Sequence, residues 1–442
     1  MATAFSKQCE GRICVIRTEI ADNVYLNYIP HTRFKANYLT VNFLTPLERE
    51  TAALYSLVPR VLSQGCAAYP GTVALAEQLQ SLYNLSLSRN RVFKRGETQV
   101  ICQSAWMLDN SMVPDDTDVL GGALRMVGEI WFSPLTVGNG FVPAFVEHAK
   151  KDTIDGIRAL INNKNNYAPY RCNREMCQNE RYGIPVVGTE QDVLAATPES
   201  VYTAYQILLS EARCEIFYVG RGGEERVARA FADLFARVNR VTPKSLSTEV
   251  IRDVKAVREV IEDQPVQQGK LSMGFRTGLT EADGGRAVML MLNDIYGSGP
   301  VSKLFMNVRE KMGLCYHCSS AMDLIKGTMM VNCGIDPSKK EIAQKEILHQ
   351  LEEIRRGHIT DAEFDAAKKS LRSAIVQVYD EPSSMEMWWL GRMLSERTTT
   401  PEEEIANIEK VTKTDIALAA RNIQLDTVYF MNGTGGEVAD DE

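Results

Sequence analysis

A chain of 442 residues exceeds what one hydrophobic core ordinarily organises, so on the order of two or three domains are expected. Apolar residues make up 45% and charged residues 24%, the balance of a folded soluble protein without low-complexity blocks. The formal charge of −8, with no Lys/Arg cluster, excludes the electrostatic footprint of a nucleic-acid binder or a membrane-surface binder.

The opening stretch, "MATAFSKQCEGRICVIRTEI", lacks the apolar core of a signal peptide, and no later run of ~18 apolar residues follows, so a cytoplasmic protein is expected. The ten cysteines run from Cys9 to Cys333 without framework spacing, which fits reduced thiols. "LTVNFLTPLERETAALYSLVPRVLSQG" (39–65) predicts an alternating strand and then a helix. Leu54, Leu57, Val58, Val61 and Leu62 form that helix's stripe over 50–64, closed by Gly65, and Pro59 should kink it. The same pattern returns in "LSMGFRTGLTEADGGRAVMLMLNDIYG" (271–297). At a constant offset Leu39 meets Leu271, Phe43 meets Phe275, Thr45 meets Thr277 and Gly65 meets Gly297. Gly96 falls near Gly327, and "LAATPESVYTAY" resembles "IEKVTKTDIALA", each ahead of a terminal strand.

So long a period implies a duplicated domain. The expected division is a first domain over 1–240, a linker over 241–262, a second domain over 263–434 and a disordered acidic tail over 435–442. Strands come as hairpins and helices in runs, so each half is expected to be α+β: an antiparallel sheet with helices mainly on one face. In the second half Leu304, Phe305, Val308 and Met312 make a helical stripe, and Gly313 can take the left-handed position after it. Thr360-Asp-Ala-Glu363 is a capping box, and Thr400-Pro-Glu-Glu403 opens a further helix.

"GSGPVSKLFMNVREKMGLCYHCSS" followed by "GTMMVNC" resembles the second domain of the insulinase/pitrilysin family of zinc peptidases, the inverzincins. "YGIPVVGTEQDVLAATPESVYTAY" and "ITDAEFDAAKKSLRSAIVQ" extend the resemblance over roughly residues 20–433, and the length matches the family's two-domain members. The resemblance implies that Arg309 and Tyr316 hold the substrate peptide. A planar guanidinium and a phenol can together bind a substrate carbonyl and the oxyanion that develops from it. Without the motif around them, the ordinary reading is a surface ion pair and a packed tyrosine.

The family's zinc motif, H-x-x-E-H, should fall on the helix ending near Gly65, where Ser56, Leu57, Val58, Pro59 and Arg60 occupy the five places. Neither histidine is present, and proline replaces the base. The third ligand's place best matches Gly156, with Glu147 and Asp155 nearby; His148 beside Glu147 reads as a solvated helix face. His31, His317, His349 and His358 are scattered, so no metal and no cofactor is expected on this chain.

Some members of the family work as pairs of different chains, one bringing zinc and base, the other the arginine and tyrosine. The resemblance therefore implies a non-metal subunit of a heterodimeric metallopeptidase. Its expected partners are a homologous chain carrying zinc and the zinc motif, and a peptide substrate; no nucleic acid or membrane partner is expected. The alternative is a catalytically silent assembly scaffold of the same fold; an active zinc peptidase with relocated ligands is the least favoured. Cys315 and Cys318, three apart on a strand, are expected to point to opposite faces and serve packing. "GSGPVS" lacks the ending of a phosphate loop, and "MEMWWLGRML" (385–394) reads as a buried helix.

Overall fold

The computed structural model describes residues 5–6, 15–88 and 91–433. Cys9 and the expected acidic tail at 435–442 lie outside the described residues. The chain divides into two compact units, and the division is not linear in sequence. One unit contains Met1–Arg158, Ile184–Ser247 and Tyr379–Leu394; the other contains Ala159–Gly183, Thr248–Val378 and Ser395–Glu442.

The first unit is built on strands β1 (Phe5–Ser6), β2 (Ile16–Ala21), β3 (Val24–Pro30), β4 (Ala36–Pro46), β5 (Ser86–Leu87), β6 (Arg91–Arg95) and β7 (Thr98–Leu108). A small ribbon of β8 (Thr136–Val137) and β9 (Gly140–Phe141) and a late strand, β10 (Arg213–Gly220), complete it. The sheet order is β1-β2-β3-β10-β4-β7-β5, with β6 also on β7. The second unit orders β11 (Arg258–Gln264), β15 (Gln424–Gly433), β12 (Gly269–Arg276), β14 (Thr328–Ile335) and β13 (Cys315–Asp323) in the sequence β11-β15-β12-β14-β13. The two central orders correspond strand for strand, as a duplication requires. β11 begins inside the segment expected to be a linker. Each sheet contains one parallel pair, β3 with β10 and β11 with β15, so both sheets are mixed rather than wholly antiparallel.

Alternation along β4 explains why almost all of it is buried. Leu39, Val41 and Phe43 enter the main core with Leu57, Val58 and Val61 of the helix Arg49–Leu62. Thr40 and Asn42 face the other way, where the helix Pro382–Leu394 lies; Asn42 Nδ2 donates to the buried Glu386 carboxylate at 3.1 Å. The second unit repeats the device. Leu271, Met273 and Phe275 are buried in alternation with Ser272 and Gly274, which meet the helix Lys164–Met176. There Cys172 Sγ donates to Ser272 O at 3.4 Å, and a Cβ on Gly274 would come within 2.7 Å of Met176 Sδ. Each unit thus covers the back of its sheet with a helix from the other half of the sequence.

The predicted punctuation is largely present. The capping boxes at Thr360 and Thr400 form. The helix Arg49–Leu62 runs through Pro59 and ends three residues before Gly65. Gly65 serves a close approach instead: a Cβ there would stand 2.4 Å from Gly71 N. Among the described residues no helix is long and apolar enough to cross a membrane.

Candidate functional site

Arg309 and Tyr316 belong to one turn of the second unit. The segment Leu304–Lys311 winds as a π-helix, with Met312 N–H bonding Asn307 O at 3.1 Å, five residues back. Leu304 and Val308 are buried and anchor it, whereas Met312, expected in the apolar stripe, is exposed because the wider winding turns it out. Gly313 adopts φ 57, the left-handed value predicted for it, and its N–H caps Arg309 O at 3.0 Å. The chain then enters β13 at the edge of the sheet.

This turn brings the two side chains together. The Arg309 guanidinium carbon lies 5.5 Å from the Tyr316 ring centroid and 4.6 Å from that of Phe305. Arg309 Nε is 3.4 Å from Glu310 Oε1. Tyr316 is 80% exposed, and Arg309 is half-buried. A large aromatic left in solvent beside a cation, at a strand edge, is a feature that core packing does not explain.

The cysteines correct an expectation. Cys315 pairs with Ile335 and Cys318 with Cys333, so three steps on β13 oppose two on β14. This β-bulge reverses the alternation and puts both thiols on one side, where Cys333 joins them. The three sulfurs lie within 4.8 Å of one another. Tyr316 and His317 occupy the bulge and are exposed, and His317 Nε2 stands 2.8 Å from Ser319 Oγ. Pairing the strands across Gly327 would have placed Cys333 opposite Cys318; the bulge itself has no local signature.

The positions aligned with the zinc motif sit in the first unit, and their donor chemistry does not fit zinc. Ser56 is fully buried, with Oγ donating to Ala53 O at 2.8 Å. Pro59 is buried and offers no ligand atom. Arg60 is a cation; burial lowers its proton affinity and the Asp152 carboxylate opposes that shift. The helix Pro143–Ala159 that carries Gly156 runs beside this one, as Gln64 Nε2 donates to Phe145 O at 2.7 Å. Gly156 is exposed and faces open space. The neighbouring acids Glu147 and Asp155 are exposed; Glu147 pairs with Lys150 at 3.0 Å. His148 reaches Asp152 at 3.4 Å on an exposed helix face, and His31 is buried against Phe34. Among the described residues, Cys315, Cys318 and Cys333 are the one group of three or more His, Cys, Asp or Glu with metal-compatible spacing.

Known proteins resemble this chain in sequence and in fold. A family profile described as "Peptidase M16 inactive domain" matches residues 195–371. Over 404 residues the chain is 31% identical to the "Probable inactive metalloprotease YmfF" of Bacillus subtilis (strain 168), covering 91% of this chain and 94% of the relative. The chain belongs to the M16 (insulinase/pitrilysin) peptidase family. A solved structure of a conserved protein from Enterococcus faecalis V583 has 27% identity and a TM-score of 0.88, covering 96% of this chain and all of that one. The M16 inactive domain from Pseudomonas fluorescens shares the fold at 16% identity, with a TM-score of 0.78 over 96% of this chain and 99% of its own. Within M16 the chain is an inactive-type homologue; the positions Ser56, Pro59, Arg60 and Gly156 carry no histidine and no carboxylate.

Proposed function

We propose that this M16 homologue is the non-metal subunit of a paired peptidase, presenting Arg309 and Tyr316 to a peptide held by a partner chain that carries zinc and the general base. The observation that carries the reading is the convergence of the guanidinium and an exposed phenol at the sheet edge, in a chain whose own zinc-motif positions hold no ligands. β13 is the last strand of its sheet, so its free edge suits an extended peptide bound by strand addition, which would run past Tyr316. Guanidinium and phenol donors would then bind the carbonyl on which the oxyanion develops.

The test is co-expression with an M16 chain from the same cell that carries the intact H-x-x-E-H sequence. A stable pair with peptidase activity is expected, and Arg309→Ala and Tyr316→Phe should each lower its rate. A rate unchanged by both substitutions in a folded pair would assign the chain to an assembly role instead.

A further inference from the structure

Three thiols brought together by a bulge call for an explanation that packing does not supply. A β-bulge inserts one residue and locally breaks the ladder, and here its effect is to turn Cys315 onto the side of Cys318 and Cys333. Cys318 and Cys333 are buried, Cys315 is half-buried, and all three are free thiols. Their three sulfurs all lie within 4.8 Å of one another. Two cations lie near the cluster, Lys270 beside Cys333 and Arg309 beside Cys315.

We propose that Cys315, Cys318 and Cys333 bind one soft, thiophilic metal ion through their three sulfurs, at a site separate from the zinc position of M16 peptidases. Thiolates select zinc(II) and copper(I) over harder cations. With metal–sulfur bonds of about 2.3 Å, tetrahedral sulfurs stand roughly 3.8 Å apart. The observed spread of no more than 4.8 Å therefore needs only a small contraction. Among the described residues no fourth His, Cys, Asp or Glu joins the group. Copper(I) is satisfied by three sulfurs, whereas zinc would complete its shell with water. Binding releases the thiol protons, and the nearby Lys270 and Arg309 offset the charge that accumulates. The inference does not depend on the peptidase-subunit reading.

The experiment uses the full chain, reduced and held without oxygen, titrated separately with cobalt(II) as a reporter for zinc and with copper(I) against a chromogenic chelator. One equivalent is expected to bind in at least one arm. A sulfur-to-cobalt charge-transfer band with tetrahedral ligand-field bands marks a zinc-type site; tight copper(I) binding without them marks a trigonal one. Cys315→Ser and Cys333→Ala should each weaken binding by more than about 100-fold, because a direct ligand outweighs the 10–100-fold typical of an outer-shell partner. Cys66→Ser, a buried thiol in the first unit, should leave binding intact. Absence of binding in both arms, or full binding in folded Cys315→Ser as judged by circular dichroism, would overturn the assignment.

Discussion

The same strand-and-helix pair serves packing in the first unit and display in the second. In the first, the helix Arg49–Leu62 buries Ser56, Leu57, Val58 and Pro59, and the Ser56 hydroxyl donates to the helix's own backbone at Ala53 O. In the second, the chain continues past the matching helix, Arg286–Asn293, into two π-helical segments; the later one carries the half-buried Arg309, and β13 after it leaves Tyr316 exposed. The two copies thus share an architecture and differ in what their corresponding positions carry. The difference lies in where the polar groups stand: Ser56 is buried and bonded to backbone, whereas Tyr316 is exposed beside Arg309.

The largest expected contrast is in rate. In an active pair Arg309→Ala should lower turnover by roughly 100–1000-fold, the usual consequence of removing an oxyanion donor. Ser56→Ala, at a zinc-motif position, should leave turnover unchanged, since its hydroxyl is committed to the Ala53 carbonyl. Equal losses from both would erase the distinction between the units. Next in size is a packing effect. Leu57 is wholly buried, and Leu57→Ala should cost about 2–5 kcal/mol in urea unfolding without altering turnover per folded pair. A small cost would mean that this helix is not packed into the core.

Much of this contrast was legible in the sequence, and the parts that were not share a cause. Local chemistry reads well: Gly313 takes the left-handed conformation, and Thr360 and Thr400 form their boxes, because each depends on a few neighbouring residues. The repeat predicted two similar sheets. What escaped is set by distant partners. Nothing in "MEMWWLGRML" says that its buried helix belongs with β4 and β10, hundreds of residues earlier, or that Lys164–Met176 belongs with β12 and β15. The cysteine cluster escaped for a related reason, since strand alternation holds only while the register is unbroken.

Aligned positions also differ in buried charge. Leu62 in the first unit corresponds to Asp294 in the second, and both are buried. Burial pushes the Asp294 carboxyl up to about 6, partly offset by the hydrogen bond it accepts from Ser370 Oγ at 3.0 Å. The folded state therefore holds the proton more tightly than the unfolded chain. Its contribution is intact below the ordinary carboxylate range and is lost as pH rises through about 6. The loss should amount to about 2–3 kcal/mol at most. Urea unfolding at pH 4.5 and pH 7 should show this decline, and Asp294→Asn should flatten it. A decline of equal size in the variant would place its origin elsewhere.

The smallest effect gives the sharpest comparison, because it uses matched helix starts. Thr197 in the first unit and Thr412 in the second both form capping boxes, with Ser200 as the reciprocal partner in one and Asp415 in the other. Thr197→Ala and Thr412→Ala should each cost about 1 kcal/mol at neutral pH. Their acid behaviour should differ. The Thr412 hydroxyl and backbone N–H bond the Asp415 carboxylate and hold it below its ordinary range, so that box is intact above the ordinary carboxylate range and weakens as pH falls through the lowered value. The Thr197–Ser200 box carries no titrating group and should be indifferent to pH over the same interval. Measured by thermal unfolding, the cost of Thr412→Ala should shrink in acid while that of Thr197→Ala stays constant. Parallel behaviour of the two would show that the carboxylate in the second box adds nothing that the serine in the first does not.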